Sequence, residues 1–294
     1  MTRKTASDFD PEVLKLFDQY VHGQLSRRGF LASAGKYAVG GMTAAGLLSA
    51  LSPSFAAQMV APADPRIKTR YVEYPSPQGY GTMRGYLAEP AKAAGKLPVV
   101  LVVHENRGLN PHIEDIARRL ALDNFIAFAP DALFPLGGYP GDEDKARELF
   151  GKLDQTKTRA DFIAAANMLK ALPEGNGKIG VVGFCFGGGM ANYLATQLPY
   201  LKAAVAFYGN QPPAAEAAKI KAPLLLHDAE NDQRTRAGWP AYEAALKAAG
   251  VSYQYFVYPK TEHGFNNDTT PRYDEAAAKL AWQRTVDFFR AKLG

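Results

Sequence analysis

The chain has 294 residues, of which 47% are hydrophobic, and its formal net charge is +5 at pH 7. This length suffices for one large α/β domain and an N-terminal extension, and the mild charge, which includes no basic run, does not indicate a nucleic-acid partner. Cys185 is the single cysteine, which excludes an intrachain disulfide.

The N-terminal segment has the features of an export signal. After an amphipathic pattern over residues 10–21, Ser26–Leu31 matches the twin-arginine pattern Ser/Thr-Arg-Arg-x-Phe-Leu. Residues 37–51 are weakly apolar and short for a membrane-spanning helix, which needs about 20 residues. Small residues precede a cleavage site after Ala56.

These features predict that residues 1–56 are a signal recognised by the twin-arginine export machinery and that residues 57–294 are the folded domain. The predicted location is the periplasm. The alternatives are an ordinary helical hairpin and a retained membrane anchor.

The rest of the chain alternates between predicted strands and helices. An antiparallel hairpin over residues 67–74 and 82–88 opens the domain, and residues 97–103 have the continuous apolar run of a strand buried on both faces. Further strands are predicted at residues 125–129, 178–182, 203–207, 223–226 and 253–258, and helices at residues 112–122, 143–153, 156–171, 188–198, 239–249 and 273–291. This order predicts an α/β fold with a mostly parallel, doubly wound sheet and helices on both faces.

Residues 183–187, Gly-Phe-Cys-Phe-Gly, stand between a predicted strand and a predicted helix. This is the nucleophile-elbow pattern with cysteine in place of serine, and it predicts that Cys185 projects from a sharp turn. Glycines flank the turn because strand and helix approach too closely there for a Cβ atom. The backbone N–H of Phe186 would face a developing oxyanion. A buried structural cysteine is the alternative.

Two further residues complete a candidate triad. Asp232 and His263 follow Cys185 in the order nucleophile, acid, histidine that α/β-hydrolases use. The thiolate would be the nucleophile, His263 would stabilise it and later protonate the leaving group, and Asp232 would orient the imidazole. Asp228 and Glu230 share the acidic loop, so Asp232 is chosen by position, and a helix N-cap is its alternative role.

The remaining histidines do not indicate a metal site. No two histidines stand at the helical spacing typical of metal ligands. His104 and His227 follow predicted strands, where we expect them to satisfy backbone groups. The sequence therefore predicts neither a metal nor a cofactor.

The elbow Gly-Phe-Cys-Phe-Gly-Gly-Gly follows His-Glu-Asn-Arg-Gly-Leu-Asn-Pro-His-Ile by about eighty residues, and together they resemble the dienelactone hydrolase family over roughly residues 66–293. The resemblance implies an α/β-hydrolase fold and hydrolysis of a small-molecule ester or lactone through an acyl-thiol, without a cofactor. It assigns the triad to the same three residues, and the oxyanion donors to the backbone N–H groups of Phe186 and Asn106.

The same resemblance assigns Glu105 to a carboxylate that contacts the resting thiol and controls its ionisation. A carboxylate near a thiol disfavours the thiolate, so such a thiol would stay neutral until substrate moves the glutamate. The alternative is a structural glutamate bonded to Arg107 or to another arginine.

The sequence departs from the family pattern in one place. Members carry an arginine four residues after the catalytic histidine, whereas this chain has Asn267, and the charge of the adjacent Asp268 would discourage an anion. We therefore do not expect dienelactone itself as the substrate. Candidates for substrate contacts are Arg107, Arg234, Arg236, Tyr139 and Phe265. A core position is the alternative for Phe265.

The leading prediction is thus a cysteine-dependent hydrolase of small esters or lactones. A general carboxylesterase or a thioesterase is the nearest alternative. A peroxide-sensing thiol protein is another, although the chain lacks a second cysteine for a dithiol cycle. The last alternative is a binding protein built on an inactive hydrolase fold. The oligomeric state is not predicted.

Overall fold

The computed structural model describes residues 4–38, 42–56 and 58–294. Residues 39–41 of the weakly apolar stretch, and residue 57 at the start of the predicted folded domain, lie outside the described residues. In these described ranges, no helix combines the length and the apolar character that crossing a membrane requires.

One eight-stranded sheet forms the centre of the domain. Its strands are β1 (Ile67–Ser76), β2 (Gly81–Pro90), β3 (Leu97–Val103), β4 (Ile126–Pro130), β5 (Gly175–Phe184), β6 (Ala203–Phe207), β7 (Leu224–Ala229) and β8 (Tyr253–Tyr258). They lie in the order β1-β2-β4-β3-β5-β6-β7-β8. β2 is antiparallel to both β1 and β4, and the other neighbours are parallel. The predicted α/β fold and its N-terminal hairpin are confirmed.

Helices cover both faces of the sheet. The α-helices of the described residues are α1 (Pro11–Val21), α2 (Arg27–Ala34), α3 (Ala44–Leu51), α4 (Pro111–Leu122), α5 (Glu143–Phe150), α6 (Gln155–Lys170), α7 (Phe186–Gln197), α8 (Gln233–Arg236), α9 (Trp239–Ala248) and α10 (Glu275–Leu293). α6, α7 and α9 bury their apolar residues on one face, and α4 and α10 bury theirs on the other. The sheet is thus the middle of three layers, and one apolar core joins it to the helices on each face.

Local sequence explains most of the element boundaries. β3 is buried from its second residue to its last, as its continuous apolar run requires. α4 begins with Pro111, and the preceding Asn110 caps the helix because its side chain accepts a hydrogen bond from the Ile113 N–H. β5 begins three residues earlier than predicted, because a register shift between Leu97 and Val99 lets Leu97 pair with Gly175.

The sheet topology locates a crevice. In the chain, β4 follows β3 and pairs on one side of it, whereas β5 pairs on the other side. The chain therefore reverses its direction across the sheet at β3, passing from β4 on one side to β5 on the other. In such sheets ligands bind at the carboxyl ends of the strands at this point. The predicted catalytic loops follow β3, β5, β7 and β8 at that same edge.

The N-terminal unit, residues 4–38 and 42–56, contains α1, α2 and α3. It has an apolar cluster of its own, which joins residues of all three helices. The buried members are Phe9, Val13, Leu14, Phe17, Tyr20, Val21, Phe30, Ala34, Leu47, Leu48 and Leu51. The segment predicted to be a signal therefore folds here as a small helical layer, and its contacts place it against the carboxyl edge of the sheet.

Candidate active site

Cys185 occupies the turn between β5 and α7. Its φ of 58° and ψ of −112° lie outside the regions that L-residues ordinarily adopt, which is the strained turn that an elbow requires. A Cβ atom on Gly183 would lie 1.8 Å from the Gly187 carbonyl oxygen, and one on Gly187 would lie 2.1 Å from the Val103 carbonyl oxygen. Both flanking positions therefore exclude any side chain.

The structure brings Asp232 and His263 together at this turn. Asp232 follows β7 and His263 follows β8, and Asp232 Oδ2 lies 2.5 Å from His263 Nδ1. A ring nitrogen of His263 lies within 4.8 Å of Cys185 Sγ. Asp232 also caps α8 by accepting the Thr235 N–H at 3.3 Å, so the same carboxylate makes the N-cap contact and the contact with His263.

Burial and charge oppose each other in this cluster. Burial alone would raise the pKa of the Cys185 thiol, but the charges of His263 and His22 outweigh it and hold that pKa below its ordinary value. Burial alone would lower the pKa of His263, but the Cys185 thiolate and Asp232 raise it. Despite its burial, Asp232 has its pKa lowered to about 2 by His263. The site therefore favours a thiolate–imidazolium pair beside a carboxylate.

The backbone N–H groups of Phe186 and Asn106 were the predicted oxyanion donors. Phe186 is the first residue of α7, so its N–H has no acceptor within the helix and lies at the positive end of the helix dipole. Asn106 lies on the loop after β3, and both residues line a cavity that reaches Cys185. The Asn106 side chain is engaged elsewhere, because its Nδ2 donates to the Val21 carbonyl oxygen at 2.8 Å.

Glu105 lies in the site and accepts a hydrogen bond from Asn267. Asn267 Nδ2 donates to Glu105 Oε2 at 3.0 Å, and Asn267 Oδ1 accepts from the Thr269 backbone N–H at 3.0 Å. The residue that replaces the family arginine thus holds Glu105. Arg107, the partner considered from sequence, pairs instead with Glu143 at 3.3 Å.

The expectation that Asp268 repels an anion is wrong. Asp268 is buried, and its carboxylate lies 2.7 Å from Arg119 Nη2 and 3.1 Å from His112 Nδ1. These partners help to lower its pKa to about 2, against the effect of burial, and they compensate its charge. Asp268 therefore stabilises the loop after His263 without presenting a free negative charge to the substrate.

Three of the five candidate substrate contacts lie in different places. Arg107 lines a small cavity next to Cys185, while Tyr139 donates from its hydroxyl to Glu143 Oε1 at 2.8 Å. Phe265 is fully buried and packs between Tyr208 and Tyr258. Phe265 is therefore a core residue, which corrects its prediction as a substrate contact.

His104 and His227 both have structural hydrogen bonds. His104 Nε2 accepts the Ala132 N–H at 3.1 Å and its Nδ1 donates to the Glu105 carbonyl oxygen at 2.5 Å, as expected. His227 differs from the expectation, because it bonds the hydroxyls of Thr285 and Tyr258 rather than backbone groups. Burial lowers the pKa of both, to about 4 and about 3.

A cavity of about 720 Å³ opens beside Cys185. Its lining includes apolar groups from α5 and α7 and the charged side chains of Arg147, Arg159, Arg234 and Glu216. Arg234 lies nearest the triad, since its Nη2 is 3.2 Å from His263 Nδ1, and its Nη1 donates to Asn210 Oδ1 at 3.0 Å. Arg236 instead donates to the Glu230 carbonyl oxygen on the surface.

Two residues at the site escaped the sequence analysis. His22 lies at the end of α1, and its Nε2 is 3.5 Å from Cys185 Sγ. The sequence does not indicate this position, because residues 1–56 have the pattern of an export signal. Arg272 lines the smaller cavity, of about 30 Å³, and lies 3.6 Å from Asp18 of α1. Its position, nine residues after His263, carries no sequence signal.

Among the described residues, one group of side chains brings three potential ligand atoms close together, although the sequence predicts no metal. Ligand atoms of His22, Cys185 and His263 all lie within 4.8 Å of one another. Two imidazoles and a thiolate are ligands that Zn²⁺ accepts. Arg234 Nη2 lies 3.2 Å from His22 Nε2, so a guanidinium charge occupies the same space and opposes a cation.

Comparison with known proteins gives consistent matches. Residues 83–293 match the model of the dienelactone hydrolase family, and residues 1–38 match a model described as YqhI-like. The "Putative carboxymethylenebutenolidase" of Salmonella typhi is 35% identical over 83% of this chain and 94% of its own length. The "Putative hydrolase fragment YghX" of Escherichia coli K12 is 56% identical over 39% of this chain and 99% of its own length.

Solved structures agree with the sequence matches. The crystal structure of the "Putative Dienelactone Hydrolase" from Klebsiella pneumoniae superposes with a TM-score of 0.67 and 32% identity. The match covers 76% of this chain and 99% of that chain. The similarity therefore extends over the sheet and its helices.

Proposed function

This chain belongs to the dienelactone hydrolase family, and we propose that it hydrolyses a small carboxylic ester or lactone through an acyl-thiol on Cys185. The single observation that carries the proposal is the strained elbow at Cys185, with the hydrogen-bonded pair of His263 and Asp232 beside it. A buried structural cysteine would need neither the strain nor the pair.

In the first half of the reaction, the Cys185 thiolate attacks the carbonyl carbon and a C–S bond forms. The carbonyl oxygen takes the negative charge, and the backbone N–H groups of Phe186 and Asn106 stabilise it. The C–O bond to the leaving group then breaks, and the His263 imidazolium gives its proton to the departing oxygen. Asp232 holds the imidazole orientation throughout.

In the second half, water replaces the alcohol. The water oxygen attacks the acyl carbon while neutral His263 takes a proton from the water. The Phe186 and Asn106 N–H groups again stabilise the negative charge on the carbonyl oxygen. The C–S bond breaks, the carboxylic acid product leaves, and the thiolate–imidazolium pair is restored. With a lactone, the alcohol of the first half remains part of the same product.

The cavity supports a substrate with a negatively charged group. Its volume of about 720 Å³ is within the ordinary range for small-molecule sites. Arg234 lines this cavity next to His263, whereas the Asn267 side chain is engaged by Glu105. We therefore assign the substrate carboxylate, which the family arginine would hold, to Arg234.

Whole-protein mass spectrometry tests the covalent step. The full chain is mixed with p-nitrophenyl acetate and, separately, with a small enol-lactone, and Cys185→Ala is the control. We expect a transient acyl adduct on Cys185, and loss of both adduct and product release in the control. Equal turnover by Cys185→Ala would remove the nucleophile assignment and favour a binding or thiol-sensing protein.

Export by the twin-arginine route stays a prediction. Ser26–Leu31 supports it, and the structure shows that Arg27 of this motif pairs with Asp144. Intact-mass measurement of the protein in cytoplasmic and periplasmic fractions tests it. Recovery of the chain from the periplasmic fraction is the expected result, and a chain found only in the cytoplasm contradicts export.

A further inference from the structure

The N-terminal unit is held against the catalytic edge by contacts that converge on the end of α1. Arg147 donates to the Tyr20 carbonyl oxygen at 2.5 Å, and its guanidinium carbon lies 3.8 Å from the centre of the Tyr20 ring. Asn106 donates to the Val21 carbonyl oxygen at 2.8 Å. The residue that follows, His22, is thereby fixed over the nucleophile.

The His22 imidazole is oriented on both sides. Its Nδ1 lies 2.7 Å from the Asp18 carbonyl oxygen and 3.2 Å from Asp18 Oδ1, so Nδ1 carries a proton and donates. The opposite nitrogen, Nε2, is 3.5 Å from Cys185 Sγ. The ring also meets the His263 ring edge-on, with centroids 4.6 Å apart. This is the arrangement in which a carboxylate orients a histidine toward a reacting centre.

The same segment fills the Glu105 side of the site. Phe17, Val21, His22 and Pro53 line the smaller cavity, opposite Glu105 and Arg272. Only about 30 Å³ is left there, against about 720 Å³ on the other side of Cys185. The N-terminal unit thus closes one half of the crevice and leaves the arginine-lined half open.

We propose that the N-terminal unit is a retained cap of the active site, and that His22 is a positioning residue that holds the Cys185 sulfur as a thiolate before substrate arrives. The proposal rests on the proposed function, since it concerns the nucleophile of that reaction. It differs from gating by Glu105, which predicts a neutral resting thiol.

The charged groups around the sulfur favour this state. His22 and His263 face Cys185 from α1 and from the loop after β8, and Arg234 of α8 contacts both imidazoles. Glu105, from the loop after β3, is the opposing charge, and its Oε2 is bonded to Asn267. Burial and the nearby His263 would lower the pKa of His22, but Asp18 and the Cys185 thiolate outweigh them and raise it. A positive imidazolium can therefore face the sulfur, although Arg234 Nη2 lies 3.2 Å from His22 Nε2 and opposes that charge.

The test is a thiolate titration of the full chain, followed by absorbance at 240 nm, with Cys185→Ser as the blank. In His22→Ala we expect the thiolate midpoint to rise and the thiolate fraction near the original midpoint to fall several-fold. The loss of one positive charge within about 4–6 Å typically moves a pKa by about one unit or more. Asp18→Asn, which keeps the imidazole but weakens its anchor, should shift the midpoint in the same direction by less.

Gln24→Ala is the matched control, because Gln24 lies on the same turn with an exposed side chain. Its titration should coincide with that of the unaltered chain. An unchanged midpoint in His22→Ala, in a protein whose thermal transition is intact, would overturn the role of His22. An altered midpoint in Gln24→Ala would show that any disturbance of the turn acts on the thiol, and would overturn it as well.

Retention of the cap is measured separately, by the intact mass of the protein isolated from its own cells. A mass that includes residues 1–56 supports the cap, whereas a mature chain beginning after Ala56 overturns it. Neither measurement depends on turnover. Failure of Cys185 acylation would therefore reject the proposed hydrolysis while the thiol titration still decides the His22 contact.

Discussion

Two regions of the molecule reach the same sulfur atom, and they are built differently. The catalytic edge of the sheet presents Cys185 from a turn that directly follows the buried end of β5, and His263 from the loop after β8. The N-terminal unit presents His22 from a helix end whose own core is separate from the cores of the sheet. The first region belongs to the fold of the domain, and the second is docked on it.

This difference implies a division of labour. Groups that must be placed within a fraction of an ångström lie where backbone packing fixes them, because a small displacement of the nucleophile lowers the reaction rate strongly. A group that only adjusts the ionisation of that nucleophile can act from a docked surface. Changes at the elbow should therefore abolish activity, whereas changes in the N-terminal unit should tune it.

The largest effect is expected at the elbow. In Gly183→Ala the new Cβ atom would lie 1.8 Å from the Gly187 carbonyl oxygen, so strand and helix must separate. We expect the free energy of unfolding to fall by about 3 kcal/mol or more, and activity to be lost. Denaturant titration measures the first, with Gly189→Ala as control, because a Cβ there would meet its nearest neighbour at an ordinary 3.5 Å. Equal stability of the two variants would contradict a close-packed elbow.

The next effect concerns the acid of the triad. Asp232→Asn should lower kcat/KM by about 100-fold, because the amide cannot stabilise the imidazolium as the carboxylate does. Asp228→Asn, in the same loop, removes a carboxylate that accepts from the Tyr255 hydroxyl at 3.1 Å, and should change kcat/KM by only a few-fold. If the Asp228 variant lost more activity than the Asp232 variant, the acid would be misassigned.

The pH dependence should show how the two regions act together. The pKa of Cys185 is held below its ordinary value, so the thiolate persists as pH falls and kcat/KM should decline only in the acid range. The pKa of His263 is raised, so its imidazolium persists as pH rises, and kcat/KM should decline only at alkaline pH. A profile of kcat/KM over pH 4 to 10 tests this expectation. A rise with a midpoint near ~8.5, the value of an ordinary thiol, would show that neither region activates Cys185.

The catalytic edge could be predicted from sequence because its signals are local. Gly183, Gly187 and the strand before Cys185 define the elbow through backbone sterics alone, and Asp232 and His263 follow at the ends of later strands. The contact of Glu105 with Asn267 could not be predicted, since it joins loops after β3 and β8 that are far apart in the chain.

The N-terminal unit was harder to interpret because one pattern supports two outcomes. Weakly apolar residues after paired arginines are typical of a signal, but the same residues bury Phe30 and Leu51 in a helical cluster. What decides the docking is long-range, as in the stacking of Arg147 on Tyr20. His22 therefore had no recognisable role until its distance to Cys185 was known.

The smallest effect is expected where the two regions touch. Arg147 is largely buried between the Tyr20 ring and the Tyr20 carbonyl oxygen, so Arg147→Ala should weaken docking by about 1–2 kcal/mol. Arg27 pairs with Asp144, but its side chain is 56% exposed, so Arg27→Ala should weaken docking by less than about 1 kcal/mol. Hydrogen exchange of the α1 amides measures both, against β5 amides as the internal reference. If both variants left α1 as protected as in the unaltered chain, the N-terminal unit would be an integral part of the domain, and the distinction between a fixed catalytic edge and a docked cap would no longer hold.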